Sequence, residues 1–225
     1  MELQLSKDAI NKAIMAFEVS WSPATGFAAY NKKYRKPVVP DPAHTSSGVT
    51  IGIGYDCGQY TANKIRLDWQ SVLPLNMVNA LAAVAGLKGM QAASKLSSLS
   101  FVDVPIEAAL QVFYNTTIFD FAKKAAKIYP DLFKLNAVEQ SVITGLVYNR
   151  GDSLDGDRRK EMRELIKAIK DDDDKEIADL IRSMCRLWPD TLGLQSRRKA
   201  EAALIELADA PVPESDILRI SFVTV

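Results

Sequence analysis

The sequence predicts an α+β fold that is mainly helical. An amphipathic stretch begins at Ser6, and a glycine-rich segment of β-branched residues follows at 47–59. From about residue 61 onward, apolar residues recur at helical spacing. The 225 residues are 48% hydrophobic and 25% charged, a balance typical of a globular protein with a core of ordinary size.

The first hundred residues predict one helix followed by a small sheet. Ser6 is a suitable N-cap, and the apolar residues after it predict a helix that ends at about Glu18 or Val19. Residues 20–46 contain four prolines and the basic run "NKKYRK", so we expect irregular structure there. Residues 48–55 alternate glycine with Val, Ile and Tyr, which predicts a short β-hairpin.

The remaining chain predicts several helices and an extended tail. Apolar stripes fall at 106–113, 138–147, 162–169 and 177–188, and a last helix covers "QSRRKAEAALIELA". The acidic run "DDDDK" at 171–175 precedes one of these stripes, where carboxylates complement the positive end of a helix dipole. Residues 211–225 are expected to form an extended strand or arm.

Composition argues against several classes of function. One histidine and two cysteines are too few for a typical zinc site, so we expect no metal. The sequence has no P-loop, and "GIGYDCG" lacks the βαβ context of a dinucleotide-binding site, so we expect no cofactor. Cys57 and Cys185 are expected to be reduced, although their pairing stays open. Residues 1–100 carry ten basic and six acidic side chains, too small an excess to indicate a nucleic-acid partner.

The N-terminal sequence lacks the basic start and apolar block of a signal peptide. No segment approaches 18 consecutive apolar residues, so no membrane span is expected. We therefore expect synthesis in the cytoplasm.

Carboxylates are the remaining candidates for chemistry. Glycoside hydrolysis requires a protonated acid on one side of the scissile bond and a second carboxylate on the other. Glu18 ends the first helix beside Phe17, with Trp21 nearby, and apolar surroundings favour the protonated form of an acid. Taken alone, Glu18 is more typical of a solvated helix end. Asp56, in "YDCG", is by itself more typical of a turn residue that bonds its own backbone.

Several motifs in order give a more specific indication. "FE" at the end of the first helix, "GVTIGIGYD", "LVYNRG", "EMRELI", "IRSMCRLW" and "GLQSRRKAEAALI" together resemble the lysozyme-like muramidases of phages and bacteriocins. The pesticin-type branch is the closer match, and the resemblance covers about residues 7–207.

The resemblance implies a catalytic set. The acid of the first helix falls on Glu18, and the strand threonine falls on Thr50. In the pesticin-type branch the second acid follows the threonine by six residues, which gives Asp56. In the phage branch it precedes the threonine by six, and that position is His44 here; Asp41 is a more distant substitute.

Substrate-binding candidates lie at Trp21, Tyr55, Asn149 and Arg150. Asn149 is expected to line a cleft, whereas Arg150 is also typical of a helix C-terminus that Gly151 caps. Arg197 and Arg198 open the last helix, where a cation is unfavourable to the dipole, so we expect a structural role with a specific carboxylate partner.

The implied protein is a two-lobed lysozyme-like domain over residues 1–210, with a small lobe at about 1–70 and a helical lobe at about 71–210. It would be a monomeric hydrolase that cleaves the β-1,4 bond between N-acetylmuramic acid and N-acetylglucosamine with inversion. Peptidoglycan strands, and an immunity or inhibitor protein, are the implied partners, met at the cell wall after release or delivery. Endolysin, bacteriocin domain and secreted effector all stay open.

Two other functions also stay open. A lysozyme-like module could bind glycan without cutting it. Alternatively, an all-helical interaction protein could use its glycine strands only to cap a core.

Overall fold

The computed structural model describes residues 2–208 and 210–221, and the fold is α+β and mainly α, as predicted. The described chain forms two compact units. We call residues 18–117 the hairpin unit, and residues 2–17 with 118–221 the terminal unit. This division differs from the expected lobe boundary near residue 70. The N-terminal segment belongs with the C-terminal helices because its strand pairs with the end of the chain.

Four strands form two antiparallel pairs among the described residues: β1 (Glu2–Ser6), β2 (Thr50–Ile51), β3 (Tyr55–Asp56) and β4 (Ile217–Ser221). β1 pairs with β4, which confirms the strand predicted in the tail; residues 222–225 of that tail lie outside the described residues. β1 itself was not predicted.

The first helix begins where the sequence indicates. The Ser6 hydroxyl accepts a hydrogen bond from the Ala9 amide at 3.0 Å, and Glu18 is the last helical residue. The helix consists of Lys7–Ile10, a π-helical turn at Asn11–Met15, and Ala16–Glu18.

The hairpin unit contains more helix than we predicted. The segment expected to be irregular holds a short helix, Ala28–Lys33, so that expectation was wrong at these residues. The other helices of this unit are Ala62–Trp69, Leu75–Ala82, Gly89–Ala93 and Ile106–Val112, with a π-helical turn at Phe113–Thr117. Its core is formed by large side chains including Tyr30, Val49, Ile51, Ile53, Ile65, Trp69 and Phe113.

The terminal unit is a group of helices packed on one another, of which Ala137–Arg150 also packs on β1 of the β1–β4 sheet. The helices are Ile118–Ile128, Ala137–Arg150, Lys160–Asp171, Asp174–Ser183 and Leu192–Glu206. The acidic run forms the turn between two of them. Asp172 is left-handed (φ 56°), and the Asp173 carboxylate caps the next helix through the Glu176 amide at 2.9 Å. Acids therefore cluster at a helix N-terminus, as predicted.

Candidate active site

The β2–β3 hairpin brings two of the predicted catalytic residues together. Thr50 lies directly opposite Asp56 in the antiparallel register. Directly opposite residues project from the same face of a sheet, with their Cβ atoms about 4.5–5.5 Å apart. Gly52 (φ 57°) and Gly54 (φ 65°) in the turn both have a left-handed backbone conformation. Residues with a side chain rarely adopt this conformation, which explains the two glycines.

A segment of the 20–46 region fixes the other edge of this strand. The Val38 amide donates to the Thr50 carbonyl at 3.0 Å, and the Thr50 amide donates to the Val38 carbonyl at 2.7 Å. Thr50 is thus held by backbone hydrogen bonds on one side and paired with Asp56 on the other. This segment of the 20–46 region therefore directly supports the candidate site.

The two oxygens of the Asp56 carboxylate have different surroundings. Oδ1 accepts hydrogen bonds from the Gly48 and Gly58 amides, both at 2.8 Å. Oδ2 accepts one longer bond, from Gln59 Nε2 at 3.3 Å. The side chain is half-buried, and the Thr50 hydroxyl beside it makes a long bond to the Gly48 carbonyl at 3.4 Å. The turn role of Asp56 is confirmed. This role uses both hydrogen bonds to Oδ1, while Oδ2 accepts only the longer bond from Gln59 among the described contacts.

Close backbone contact at the base of the hairpin explains two of the four glycines. A Cβ atom on Gly48 would lie 2.7 Å from the Gly58 Cα atom, and one on Gly58 would lie 2.9 Å from the Gly48 Cα atom. Both Cβ atoms would also collide with the Leu87 carbonyl oxygen. Only glycines allow these backbones to meet, and this contact positions both amides that bind Asp56.

Glu18 begins the hairpin unit at the end of the first helix. Its side chain is half-buried, and the following Val19 is buried. Ser20 then adopts a left-handed conformation (φ 55°), which stops the helix in the position that glycine usually takes. The Ser20 hydroxyl lies 3.5 Å from that of Tyr34, so the turn after Glu18 contacts a later part of the 20–46 region, which also supports Thr50.

The predicted substrate-binding aromatic residues have different environments. Trp21 is half-buried and lies just before a tight turn that joins Ser22 to Gly26. Tyr55 is only 1% exposed, and its hydroxyl donates to Asp68 Oδ2 at 2.7 Å. Burial is the main cause that raises the pKa of Tyr55, and the Asp68 carboxylate adds to it. Tyr55 thus supports the hairpin from within the core.

The two alternatives to Asp56 as the second catalytic residue take no part in the described hydrogen bonds of the hairpin. His44 and Asp41 are both exposed, and the His44 Nδ1 atom lies 3.0 Å from an Asp41 carboxylate oxygen. Neither makes a described hydrogen bond to Thr50 or Asp56. Of the three candidates for the second residue, only Asp56 pairs with Thr50.

Asn149 and Arg150 belong to the terminal unit. Asn149 Oδ1 accepts a hydrogen bond from Arg198 Nη2 at 3.0 Å. Gly151 (φ 77°) caps the helix, as predicted, and its amide donates to the Val147 carbonyl at 2.8 Å. Arg150 Nη2 donates to the carbonyl of Arg158, which lies outside this helix.

Glu201 is the carboxylate partner predicted for the arginines of the last helix. Arg197 Nε and Arg198 Nη2 each donate to its Oε1 atom at 3.0 Å. All three side chains are buried. Burial lowers the pKa of Arg198 and raises the pKa of Glu201, while each charge offsets part of the effect on the other. The helix begins at Leu192, so neither arginine opens it and the dipole argument for them was wrong, but both bind the buried carboxylate partner that was expected.

Several contacts of the site could not be predicted from the sequence. Val38, Gln59 and Asp68 all support the hairpin, but nothing in their local patterns indicates it. The close approach of Gly48 and Gly58 has a signal in the sequence, since the two glycines flank one short hairpin, each two residues outside the paired Thr50 and Asp56.

A comparison with protein-family models and with curated proteins gives no match. Within residues 2–208 and 210–221, no group of His, Cys, Asp and Glu could hold a metal ion, and no helix is long and apolar enough to cross a membrane. Cys57 and Cys185 are both free thiols.

Proposed function

We propose that this chain is a muramidase that hydrolyses the β-1,4 bond between N-acetylmuramic acid and N-acetylglucosamine in peptidoglycan. The observation that carries the proposal is the pairing of Thr50 with Asp56 on one face of a glycine-tightened hairpin. The order of the motifs supplies the reaction class, and Glu18 in the same compact unit supplies the general acid.

The proposed reaction begins with proton transfer from Glu18 to the glycosidic oxygen. On the opposite face of the sugar, Asp56 Oδ2 and the Thr50 hydroxyl hold a water molecule. Asp56 accepts a proton from this water as it attacks the anomeric carbon, and the configuration inverts. Anchoring Oδ1 by two amides fixes the carboxylate in one orientation, which lowers the entropic cost of positioning the water.

Tyr55 and the glycines have supporting roles in this proposal. Tyr55 packs against Tyr60, with ring centres 4.6 Å apart, and against Trp69, with ring centres 5.3 Å apart. This aromatic cluster holds the strand that carries Asp56. Trp21 is the aromatic residue that we propose for sugar contact, since it is only half-buried.

The proposed substrate places the site of action at the bacterial cell wall. A chain made in the cytoplasm would reach the wall through a lytic pore or a delivery machine. An immunity or inhibitor protein would then protect the producing cell. A monomer suffices for this chemistry, because all three proposed catalytic residues come from one chain.

A non-catalytic glycan-binding module is the second candidate. The observation that favours it is that the Asp56 side chain caps the short 3-10 helix Cys57–Gln59 through the Gly58 amide, which by itself accounts for an aspartate at this position. This candidate predicts binding of glycan strands and no cleavage. An interaction protein without a glycan ligand predicts neither.

Release of soluble muropeptides from purified peptidoglycan tests the proposal. We expect release by the wild type and a loss of at least about 100-fold for Glu18→Gln, the size expected when a general acid is removed. Glu107→Gln is the matched control, because Glu107 is an exposed acid at the start of another helix of the same unit. Far-UV circular dichroism establishes that each variant is folded.

The same assay separates the candidates for the second residue. Asp56→Asn keeps an acceptor for both glycine amides but removes the charge, so we expect a loss similar to that of Glu18→Gln. Asp41→Asn should retain wild-type release. If peptidoglycan is bound but no product appears with the wild type, the binding module replaces the enzyme. If neither binding nor release occurs, both glycan functions fail.

A further inference from the structure

The terminal unit contains a cavity of about 500 Å³ that is lined by two of the substrate-binding candidates, Asn149 and Arg150, and to which the catalytic steps proposed above assign no role. Three arginines, Arg150, Arg158 and Arg159, contribute to its lining. Trp188 and Leu194 contribute apolar surface. A volume of this size is typical of sites for small organic ligands and exceeds the requirement of a single ion.

Arg150 is the most buried of the three cations. Its side chain is 8% exposed, and its guanidinium lies 5.0 Å from the centre of the Trp188 ring. Its described donors reach the Met162 sulfur, at 3.4 Å from Nε, and the Arg158 carbonyl. Burial, with the charge of Arg159 as the next cause, lowers the pKa of Arg150 to about 10.

The neighbouring arginines add charge at the same cavity. Arg159 donates to the Met162 sulfur at 3.4 Å and to the Arg150 carbonyl. The Arg158 guanidinium lies 5.8 Å from the Trp188 ring centre, so two cations contact one indole. The Arg158 side chain is exposed.

No carboxylate in the described part of the chain forms an ion pair with Arg150, Arg158 or Arg159. The nearby acids Asp157 and Glu161 pair instead with Arg186. Asp155 is the acidic residue of the cavity lining, and its carboxylate lies 3.5 Å from the Ser153 hydroxyl. Three arginines therefore gather around one acid, and an anionic ligand would compensate the excess charge.

We propose that this cavity binds the carboxylates of the short peptide carried by the N-acetylmuramic acid units of peptidoglycan. The guanidinium fork matches a carboxylate in a bidentate way, and Trp188 and Leu194 would contact the aliphatic part of the peptide. Asp155 disfavours a doubly charged phosphate more than a singly charged carboxylate. The identity of the ligand rests on the proposed function, whereas the charge excess does not.

Calorimetry with the soluble stem peptide, free of glycan, tests this inference. We expect the wild type to bind the peptide. The wild type should bind the carboxyl-amidated peptide at least about tenfold more weakly, and Arg158→Gln should bind the unmodified peptide at least about tenfold more weakly, because each change removes a charge-assisted hydrogen bond. Arg158 is the variant of choice because its backbone, not its side chain, holds Arg150. Arg66→Gln, an exposed arginine of the hairpin unit, controls for net charge and should bind as the wild type does.

Three results would overturn the inference: no binding of the peptide by the wild type, equal binding of the amidated peptide, or unchanged binding by Arg158→Gln. Displacement of the peptide by an equal concentration of inorganic phosphate would also overturn it. Muropeptide release, measured in parallel, separates the two proposals. Release without peptide binding removes only the cavity, and peptide binding without release removes only the muramidase.

Discussion

Thr50 lies directly opposite Asp56 in the hairpin, and Asp56 in turn accepts the amides of Gly48 and Gly58 through one oxygen. One aspartate thus connects the strand that carries Thr50 to the turn that follows its own strand. Oδ1 stabilises the hairpin, while Oδ2 is the oxygen that we propose for catalysis. Substitutions of Asp56 can therefore separate its effect on stability from its effect on activity.

Asp56→Asn and Asp56→Ala should differ in stability and agree in activity. Alanine leaves the Gly48 and Gly58 amides without their acceptor, so we expect the free energy of unfolding to fall by about 2–3 kcal/mol. Asparagine keeps an acceptor and should cost less than about 1 kcal/mol. Both variants should lose muropeptide release. Urea denaturation measures the difference, and equal losses of stability would mean that the negative charge itself holds the hairpin.

Gly48→Ala should destabilise the hairpin unit through backbone collision. The added Cβ atom would meet the Gly58 Cα atom at 2.7 Å, and neither backbone can move without breaking the amide bonds to Asp56. We expect a loss of about 3 kcal/mol, at the upper end of ordinary overpacking. Gly193→Ala is the control, since a Cβ atom there meets nothing within 4 Å. A thermal denaturation midpoint equal for both variants would contradict this explanation.

The sequence predicts local structure better than the contacts that complete it. Ser6 as N-cap, the helix end at Glu18 and the short hairpin all follow from patterns within a few residues. β1 was missed because β4, the strand with which it pairs, lies at the other end of the chain. The first helix follows β1 directly and so joins the terminal unit, whereas the helices between residues 62 and 112 group with the hairpin, so the expected boundary near residue 70 falls inside the hairpin unit.

The candidate site residues also divide into those predictable from nearby sequence and those that depend on distant contacts. The pairing of Thr50 with Asp56 could be predicted because both lie in one hairpin. The carboxylate partner of Arg197 and Arg198 could be predicted because Glu201 lies one helical turn away. Burial of Tyr55 could not, since it depends on the helix that carries Asp68 and Trp69.

Tyr55→Phe tests whether Tyr55 supports the hairpin or contacts substrate. Removal of the hydroxyl deletes its 2.7 Å bond to Asp68, and we expect a loss of about 1 kcal/mol in the free energy of unfolding. Asp68 keeps Lys64 as a partner at 2.7 Å, which limits the cost. The KM for peptidoglycan fragments should stay within about twofold of the wild type, because the side chain is buried. A large rise in KM with unchanged stability would instead assign Tyr55 to substrate binding.

Glu139 in the terminal unit links stability to pH. Its side chain is 2% exposed, and Oε2 accepts the Asn136 amide at 2.8 Å within a capping box. Burial, with the neighbouring Asp174 carboxyl as the next cause, raises the pKa of Glu139 from 4.5 to about 8. Between these two values the folded protein retains a proton that the unfolded chain releases. Stability contributed by this proton is fully present below pH 4.5 and is lost as the pH rises towards 8.

Glu139→Gln should flatten this pH dependence. Glutamine is neutral at every pH and still offers an oxygen to the Asn136 amide, so the free energy of unfolding should lose most of its decline between pH 5 and pH 8. Near pH 8 we expect the variant to exceed the wild type by about 1–2 kcal/mol. Glu176→Gln, at an exposed position in the first turn of the helix Asp174–Ser183, should keep the wild-type slope. Urea denaturation at several pH values measures both slopes, and an unchanged slope for Glu139→Gln would show that another group carries the pH dependence.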